Sequence, residues 1–382
     1  MAKSIAEPGP QREDADTSPP RVETAEPGGS RHGWHVAIWI IAAILVLAGL
    51  RWAQVLAAPL AFAFFLIALV WPLQAKLESH LPRGLTAIIS VFPVLVGGLL
   101  VIALIAFGIG AVRTALPDYA PQLEDALQSG QAWLVGFGLE INPQFADQFS
   151  PTWLLHLVHE AALRANVALG FLALTMIFLA LGLLEASDLR ARMQQALPRA
   201  TAEKLLAAGE ELGWKYRRYM LVRSMVSVLT GGLTWGFALL VGLDLAAVWG
   251  SLAFALNFIP FIGSILAVIP PVVFAVIQFD GWLLPLLTFA GMALIQFSIG
   301  NFLDPRLEGR ALAISPFLVV VSVFFWGLIW GLPGAFIGVP LTIAIIVVCQ
   351  QFHSMCWIAQ LAAHRGRTVP PEFGRQGADQ SG

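Results

Sequence analysis

The sequence predicts an all-α polytopic membrane protein, with about eight transmembrane helices, a broken or re-entrant helical hairpin and an amphipathic helical extracytoplasmic loop. Three observations carry this expectation. Of 382 residues, 58% are hydrophobic and only 12% charged, where a soluble domain carries about 25% charge. Apolar runs recur at the length a bilayer demands, about 20 residues. One long apolar region is interrupted between Asn257 and Pro271 by Pro260, Gly263, Pro270 and Pro271. Each proline removes a backbone donor and crowds the preceding turn. In lipid the freed carbonyls have no water to turn to, so broken backbone belongs where it is buried in protein or lines a wet cavity.

Residues 1–33 are polar and rich in proline. Such a segment cannot bury enough apolar surface to fold, which predicts a disordered tail. It is not read as a secretory signal, because the first apolar run starts too late and no cleavage-type site follows. The spans are then expected at 34–50, 52–71 and 85–112. Pro59 falls early in the second, where proline is tolerated. The third carries Gly97, Gly98, Gly108 and Gly110, small residues that let helices approach closely.

Residues 113–165 are polar enough to leave the membrane yet keep a helical period. Tyr119, Leu123, Leu127, Leu134 and Phe137 form one stripe, and Trp153, Leu154, Leu157 and Val158 another. Both read as amphipathic helices. His156 and His159 have no Asp or Cys at ligand spacing, so they read as solvated or interfacial rather than as a metal site.

A fourth span is expected at 166–184, followed by a charged helical segment over 186–218. A fifth runs over 220–241. Two apolar pieces follow, 245–259 and 263–279, the first short for a crossing. Further apolar pieces cover 282–299, 317–330 and 335–350, the last pair divided by Gly331, Pro333 and Gly334. Cys349 and Cys356 stand seven apart, poorly placed for a disulfide along one helix and too few for a metal site. They read as small packing residues. The transmembrane domain thus covers 34–351, and 352–382 forms a second tail.

Charge sets the expected topology. Lysine and arginine gather in cytoplasmic loops. Seven lie in 186–218, and the longer 113–165 loop has only Arg113 and Arg164. The former is therefore inside and the latter outside, which places both termini in the cytoplasm. The parity holds whether 245–279 crosses twice or re-enters. The net charge of −2 gives no footprint for nucleic acid, and none is expected as a partner.

No His-Glu-x-x-His, Gly-x-Ser-x-Gly or P-loop motif occurs. Neither catalytic residues, a metal nor a cofactor are expected, and transport would be secondary rather than ATP-driven. Discontinuous helices are where transporters place substrate and ion sites. Asn257, Pro260, Gly263, Pro270, Pro271, Gln296 and Asn301 are accordingly the pathway candidates. Asp304, Arg306 and Glu308 are the gate or coupling candidates, in competition with a plain loop obeying the inside rule. Asp244 and Asp280 read as solvated turn acids, and the buried amides could equally serve interhelical hydrogen bonds.

Several ordered motifs carry a family resemblance. They include Leu229-Thr-Gly-Gly-Leu-Thr-Trp, Leu252-Ala-Phe-Ala-Leu-Asn-Phe-Ile-Pro-Phe-Ile-Gly-Ser, Ile269-Pro-Pro, Gly300-Asn-Phe-Leu-Asp-Pro-Arg-Leu-Glu-Gly-Arg and Val339-Pro-Leu-Thr. The sequence between Trp34 and Gln350 resembles the autoinducer-2 exporter (AI-2E) transporter family. The resemblance implies a multi-pass permease of the bacterial inner membrane, homo-oligomeric, exporting a small polar metabolite such as the quorum-sensing signal autoinducer-2. It also brings sodium/proton antiport as an alternative. A membrane scaffold without transport, using the 113–165 helices for partners, is the third reading.

Overall fold

The computed structural model describes residues 30–136, 151–308 and 315–351. Every regular element among them is helical. The chain divides into two compact units, 1–49 and 50–382. The first holds most of α1 (Ser30–Trp52). The tail expected over 1–33 lies outside the described residues except for 30–33, where α1 has already begun, and the tail over 352–382 lies wholly outside them. Cys349 is buried and free, and Cys356 is outside the described residues.

The second unit begins with α2 (Gln54–Glu78) and α3 (Arg83–Ala115), an antiparallel pair. Gln74 Nε2 donates to Thr86 Oγ1 at 3.1 Å, closing the pair near its turn. A 3₁₀ turn (Leu116–Tyr119) leads to α4 (Ala120–Gly136). The long helix α5 (Pro151–Ala196) follows, then α6 (Arg199–Val241). The spans expected at 166–184 and 220–241 thus lie inside helices of 46 and 43 residues. The charged stretch between them continues the same two helices. Its ends are tied by Arg83–Asp188 at 3.0 Å and Arg190–Glu210 at 3.2 Å, exposed pairs worth little stability.

Of the α3 glycines expected at helix contacts, Gly98 and Gly108 face a neighbouring side chain, and Gly97 and Gly110 meet nothing within 4 Å. A Cβ on Gly98 would meet the Leu172 side chain at 2.8 Å, so α5 lies against it. The buried seam continues through Ala63, Ala87, Leu179 and Leu183, which join α2, α3 and α5.

Two helical hairpins complete the unit. The first pairs α7 (Ala246–Leu256) with α8 (Ile262–Gln278). At 1.5 Å per residue, 11-residue α7 extends about 16 Å, half the hydrocarbon thickness of roughly 30 Å. Next come α9 (Leu283–Ser298), a π-helical turn (Ile299–Leu303) and the single turn α10 (Asp304–Glu308).

The second hairpin is α11 (Pro316–Gln351), which reverses at Gly331 (φ 66°, ψ −143°). Its arms, 316–330 and 332–351, lie against one another. A Cβ on Gly338 would stand 2.8 Å from Ser322 O, and one on Gly334 2.0 Å from Trp326 O. Trp326 Nε1 also donates to Thr342 Oγ1 across the arms. The 15 residues of the first arm extend about 22 Å. The two pieces that the sequence suggests as separate spans therefore form a folded-back pair. Among the described residues, six helices are long and apolar enough to cross a membrane, with shorter apolar helices at Ala37–Trp52, Ala246–Leu256 and Ile262–Gln278.

One expectation is corrected. Pro270 and Pro271 do not break the chain; both sit inside α8. The interruption is confined to 257–261, where Phe261 takes a positive φ of 62°. Reversal is complete before the prolines are reached. Their missing donors then cost only the hydrogen bonds to the carbonyls of Leu266 and Ala267, one helical turn earlier.

Candidate functional site

The site is built on one face of α6. Arg223, Ser227, Thr230 and Thr234 recur at steps of three and four residues, with Gly231 beside Thr230, which places them on one side of a helix. All five are buried. Gly231 makes close contact possible: a Cβ there would stand 2.8 Å from Gly250 O, and one on Gly250 2.9 Å from Gly231 O. The polar stripe of α6 and the first arm of the α7–α8 hairpin therefore meet backbone to backbone. Thr230 satisfies its hydroxyl locally, donating to Val226 O at 2.8 Å.

The hairpin carries Asn257 to the Ser227 level of this stripe. Asn257 closes α7 as its C-cap, and its Nδ2 donates to Ser227 Oγ at 3.1 Å. Pro260 and Gly263 are buried in the same turn. Gly263 has no room for a side chain, since a Cβ would lie 1.9 Å from Leu256 O. Glycine is thus required for α8 to start against the end of α7.

One turn further along α6, Arg223 Nη1 lies 3.2 Å from Asp304 Oδ2. Their side chains are 6% and 18% exposed, so this is a mostly desolvated pair. Removing either partner takes one charge out of a pair held largely away from water, which is costly. Asp304 lies just beyond the apolar helix Leu283–Leu303. Burial pushes its carboxyl above the ordinary range, and the Arg223 guanidinium opposes that shift.

The other end of the first hairpin is closed by a hydrogen-bond cluster. Gln278 Nε2 donates to Gly242 O at 2.8 Å, and Asp244 N donates to Gln278 Oε1 at 2.8 Å. Trp249 Nε1 donates to Asp244 O at 2.8 Å. The Tyr119 hydroxyl, from the 3₁₀ turn after α3, donates to Asp244 Oδ2. Its ring packs edge-on against Phe274 at 4.8 Å. Asp244 is an exposed turn acid, as its sequence context predicts, and it also ties this closure together. Burial, then the hydrogen bond and charge of Asp244, push the Tyr119 hydroxyl up to about 12.

The second hairpin approaches from the opposite end of α6. Tyr216 donates to Pro340 O at 2.9 Å, nine residues beyond the Gly331 reversal. Phe336, five residues beyond it, stacks on Phe258 of the first hairpin's turn at 5.8 Å and 19°. Phe336 also packs on Phe62 of α2 at 5.5 Å. The second arm of this hairpin thus meets the turn of the first through Phe336 and Phe258.

The remaining candidates are more scattered. Gln296 is half-buried on α9, and Asn301 is exposed, its Nδ2 donating to Phe297 O at 3.0 Å. Arg306 is exposed, and the side chain of Glu308 lies outside the described residues. The structure joins Asp304 to Arg223 rather than to its sequence neighbours. Sequence reasoning passed over Arg223 altogether. The signal was there: a lone cation near the start of an otherwise apolar span is expensive and needs a partner.

An all-helical multi-pass bundle with interrupted helices meeting at a buried polar stripe is the architecture of a membrane transport protein. The sequence matches the AI-2E family transporter description over residues 40–354, and the chain belongs to that family. It is 30% identical over 329 residues to the AI-2 transport protein TqsA of Escherichia coli K12, covering 86% of this chain and 95% of that protein. It is 26% identical to the putative transport protein YhhT of the same strain, over 84% of this chain and 91% of that protein. A putative transport protein of Borreliella burgdorferi is 34% identical over 53% of this chain and 56% of its own. The apolar helices and bacterial relatives support a multi-pass protein of a bacterial inner membrane.

Proposed function

We propose that this chain is a secondary transporter, without its own ATPase, that moves a small polar metabolite of the autoinducer-2 type. The observation that carries this reading is the Asn257–Ser227 contact. It brings a helix interruption, an amide and a hydroxyl together inside the bundle. Uncharged donors and acceptors suit a neutral hydroxylated solute better than an ion of fixed charge. The path is taken to run past Asn257, Pro260 and Gly263, with Pro270 and Pro271 shaping α8 behind them and Gln296 and Asn301 along α9.

In this reading the α7–α8 hairpin re-enters the membrane rather than crossing it twice, consistent with the short α7. Its closed mouth lies on the outer side with 113–165, and 186–218 and both termini lie in the cytoplasm. The lipid bilayer supplies the surroundings, and a homo-oligomer covers part of the apolar surface that a single chain leaves exposed.

The test is direct. Purified protein in liposomes loaded with autoinducer-2 should release it faster than protein-free vesicles under an imposed proton or sodium gradient. Release at the protein-free rate under every gradient would reject the reading.

A second reading, sodium/proton exchange, is favoured by the part-buried Asp304. A pH-sensitive dye inside the same vesicles should then respond to a sodium pulse, and Asp304→Asn should abolish the response.

A further inference from the structure

The second hairpin has features that the transport reading does not use. Its turn is held from outside by a reciprocal pair of hydrogen bonds. Arg51 Nη1 donates to Leu328 O at 2.7 Å, and Trp330 Nε1 donates to Leu50 O at 3.1 Å. Both acceptors lie near helix ends, where carbonyls lack intrahelical donors. A cation there also complements the negative end of the helix dipole. The hold is therefore polar, at the rim, and made by one exposed arginine and one indole.

Inside the turn the contact is of another kind. Phe336 stacks on Phe258 and tilts onto Phe62, and Phe62 meets Phe171 edge-on at 5.1 Å. Phe254 extends the run to the first hairpin's own arm. These rings lie where the second hairpin's C-terminal arm meets the first hairpin's turn, at the residue next to Asn257. Aromatic pairs add only modestly to their burial, weak enough to part and re-form. Gly331, with a positive φ, sets the reversal that such a movement would use.

We propose that the 316–351 hairpin is the gate of the pathway: Phe336 parting from Phe258 opens it, and the Arg51–Leu328 and Trp330–Leu50 bonds hold it shut. The proposal rests on the transport reading for its purpose, but its geometry is independent of the solute. Opening exposes Asn257 and Ser227 to the side from which the second hairpin enters. Closure seals them behind stacked rings that exclude water and ions while still offering an apolar surface to the carbon skeleton of a hydroxylated solute.

The test uses the full chain with Cys349→Ala and Cys356→Ala. In this background Phe258→Cys with Phe336→Cys is joined by a short bifunctional thiosulfonate. Release of autoinducer-2 from liposomes should fall at least tenfold on cross-linking and return on reduction. Undiminished release from fully cross-linked protein would overturn the gate. A second arm needs no solute. Ser227→Cys is labelled with a small charged thiosulfonate, alone and combined with Phe336→Ala or Arg51→Gln. Each combination should raise the labelling rate at least fivefold, and equal rates in all three proteins would overturn the proposal. If the uncross-linked protein releases no autoinducer-2, the substrate reading fails, and the labelling arm alone decides the gate.

Discussion

Arg223 and Asp304 stand 81 residues apart in sequence, yet Arg223 Nη1 donates to Asp304 Oδ2 at 3.2 Å inside the bundle. The contact fastens α10, at the end of the α9 segment, to the face of α6 that also receives Asn257. It makes the two halves of the candidate site one structure.

Single removal of either charge should therefore be costly. Asp304→Asn removes the carboxylate paired with the buried Arg223 and should destabilise by about 3–5 kcal/mol. The double substitution Arg223→Met with Asp304→Leu should recover most of that loss. Thermal melts of the purified protein in detergent measure both. Flux assays on the stable double variant then separate stability from function: retained stability with lost transport assigns the pair a role in the cycle.

The two reversals depend on glycine for different reasons, and substitution should show it. Gly263→Ala places a methyl 1.9 Å from Leu256 O. Backbone cannot yield as a side-chain end can, so the cost should be at the upper end of overpacking, about 3 kcal/mol or more. Gly331→Ala meets open space but forces φ 66° on a residue with a Cβ, for about 1–3 kcal/mol. Gly232→Ala, with nothing within 4 Å on the same helix as the stripe, should be neutral or slightly stabilising. Melting temperatures in one detergent rank the three.

Tyr119→Phe tests the closure at the mouth of the first hairpin. The phenol donates only when protonated, and its folded-state value is raised from 10 to about 12. A raised value means the stabilisation is fully present below pH 10 and is lost as pH rises through about 12. Wild type should thus exceed Tyr119→Phe in stability by about 0.5–1.5 kcal/mol, equally at pH 7 and pH 9. A difference that vanished between pH 7 and 9 would contradict the assignment. Melts at the two pH values settle it.

Much of this fold is legible in the sequence because lipid imposes simple rules. Apolar length marks the spans, and the Asn257–Gly263 stretch marks an interruption in a place where backbone polarity is expensive. The polar mouth was less legible. Asp244 reads as a turn acid, and only the structure brings Tyr119 to it from 125 residues away. Arg223 stands within an apolar span, and its partner Asp304 lies 81 residues away, so local sequence alone does not reveal the pair. Pro270 and Pro271 looked like breakers because proline rules concern one helix in isolation, and tertiary packing carried α8 through them. The second hairpin depends on one dihedral at Gly331, which composition cannot distinguish from a loop between two spans.

The central claim is that the first hairpin's turn, pinned at Asn257 to Ser227, forms part of the path a solute takes. Its most direct test is autoinducer-2 release from liposomes by wild type and Asn257→Ala, run below the melting temperature of both. The account predicts at least a tenfold loss of release while the variant stays folded and inserted. Release by the folded variant at the wild-type rate would contradict it.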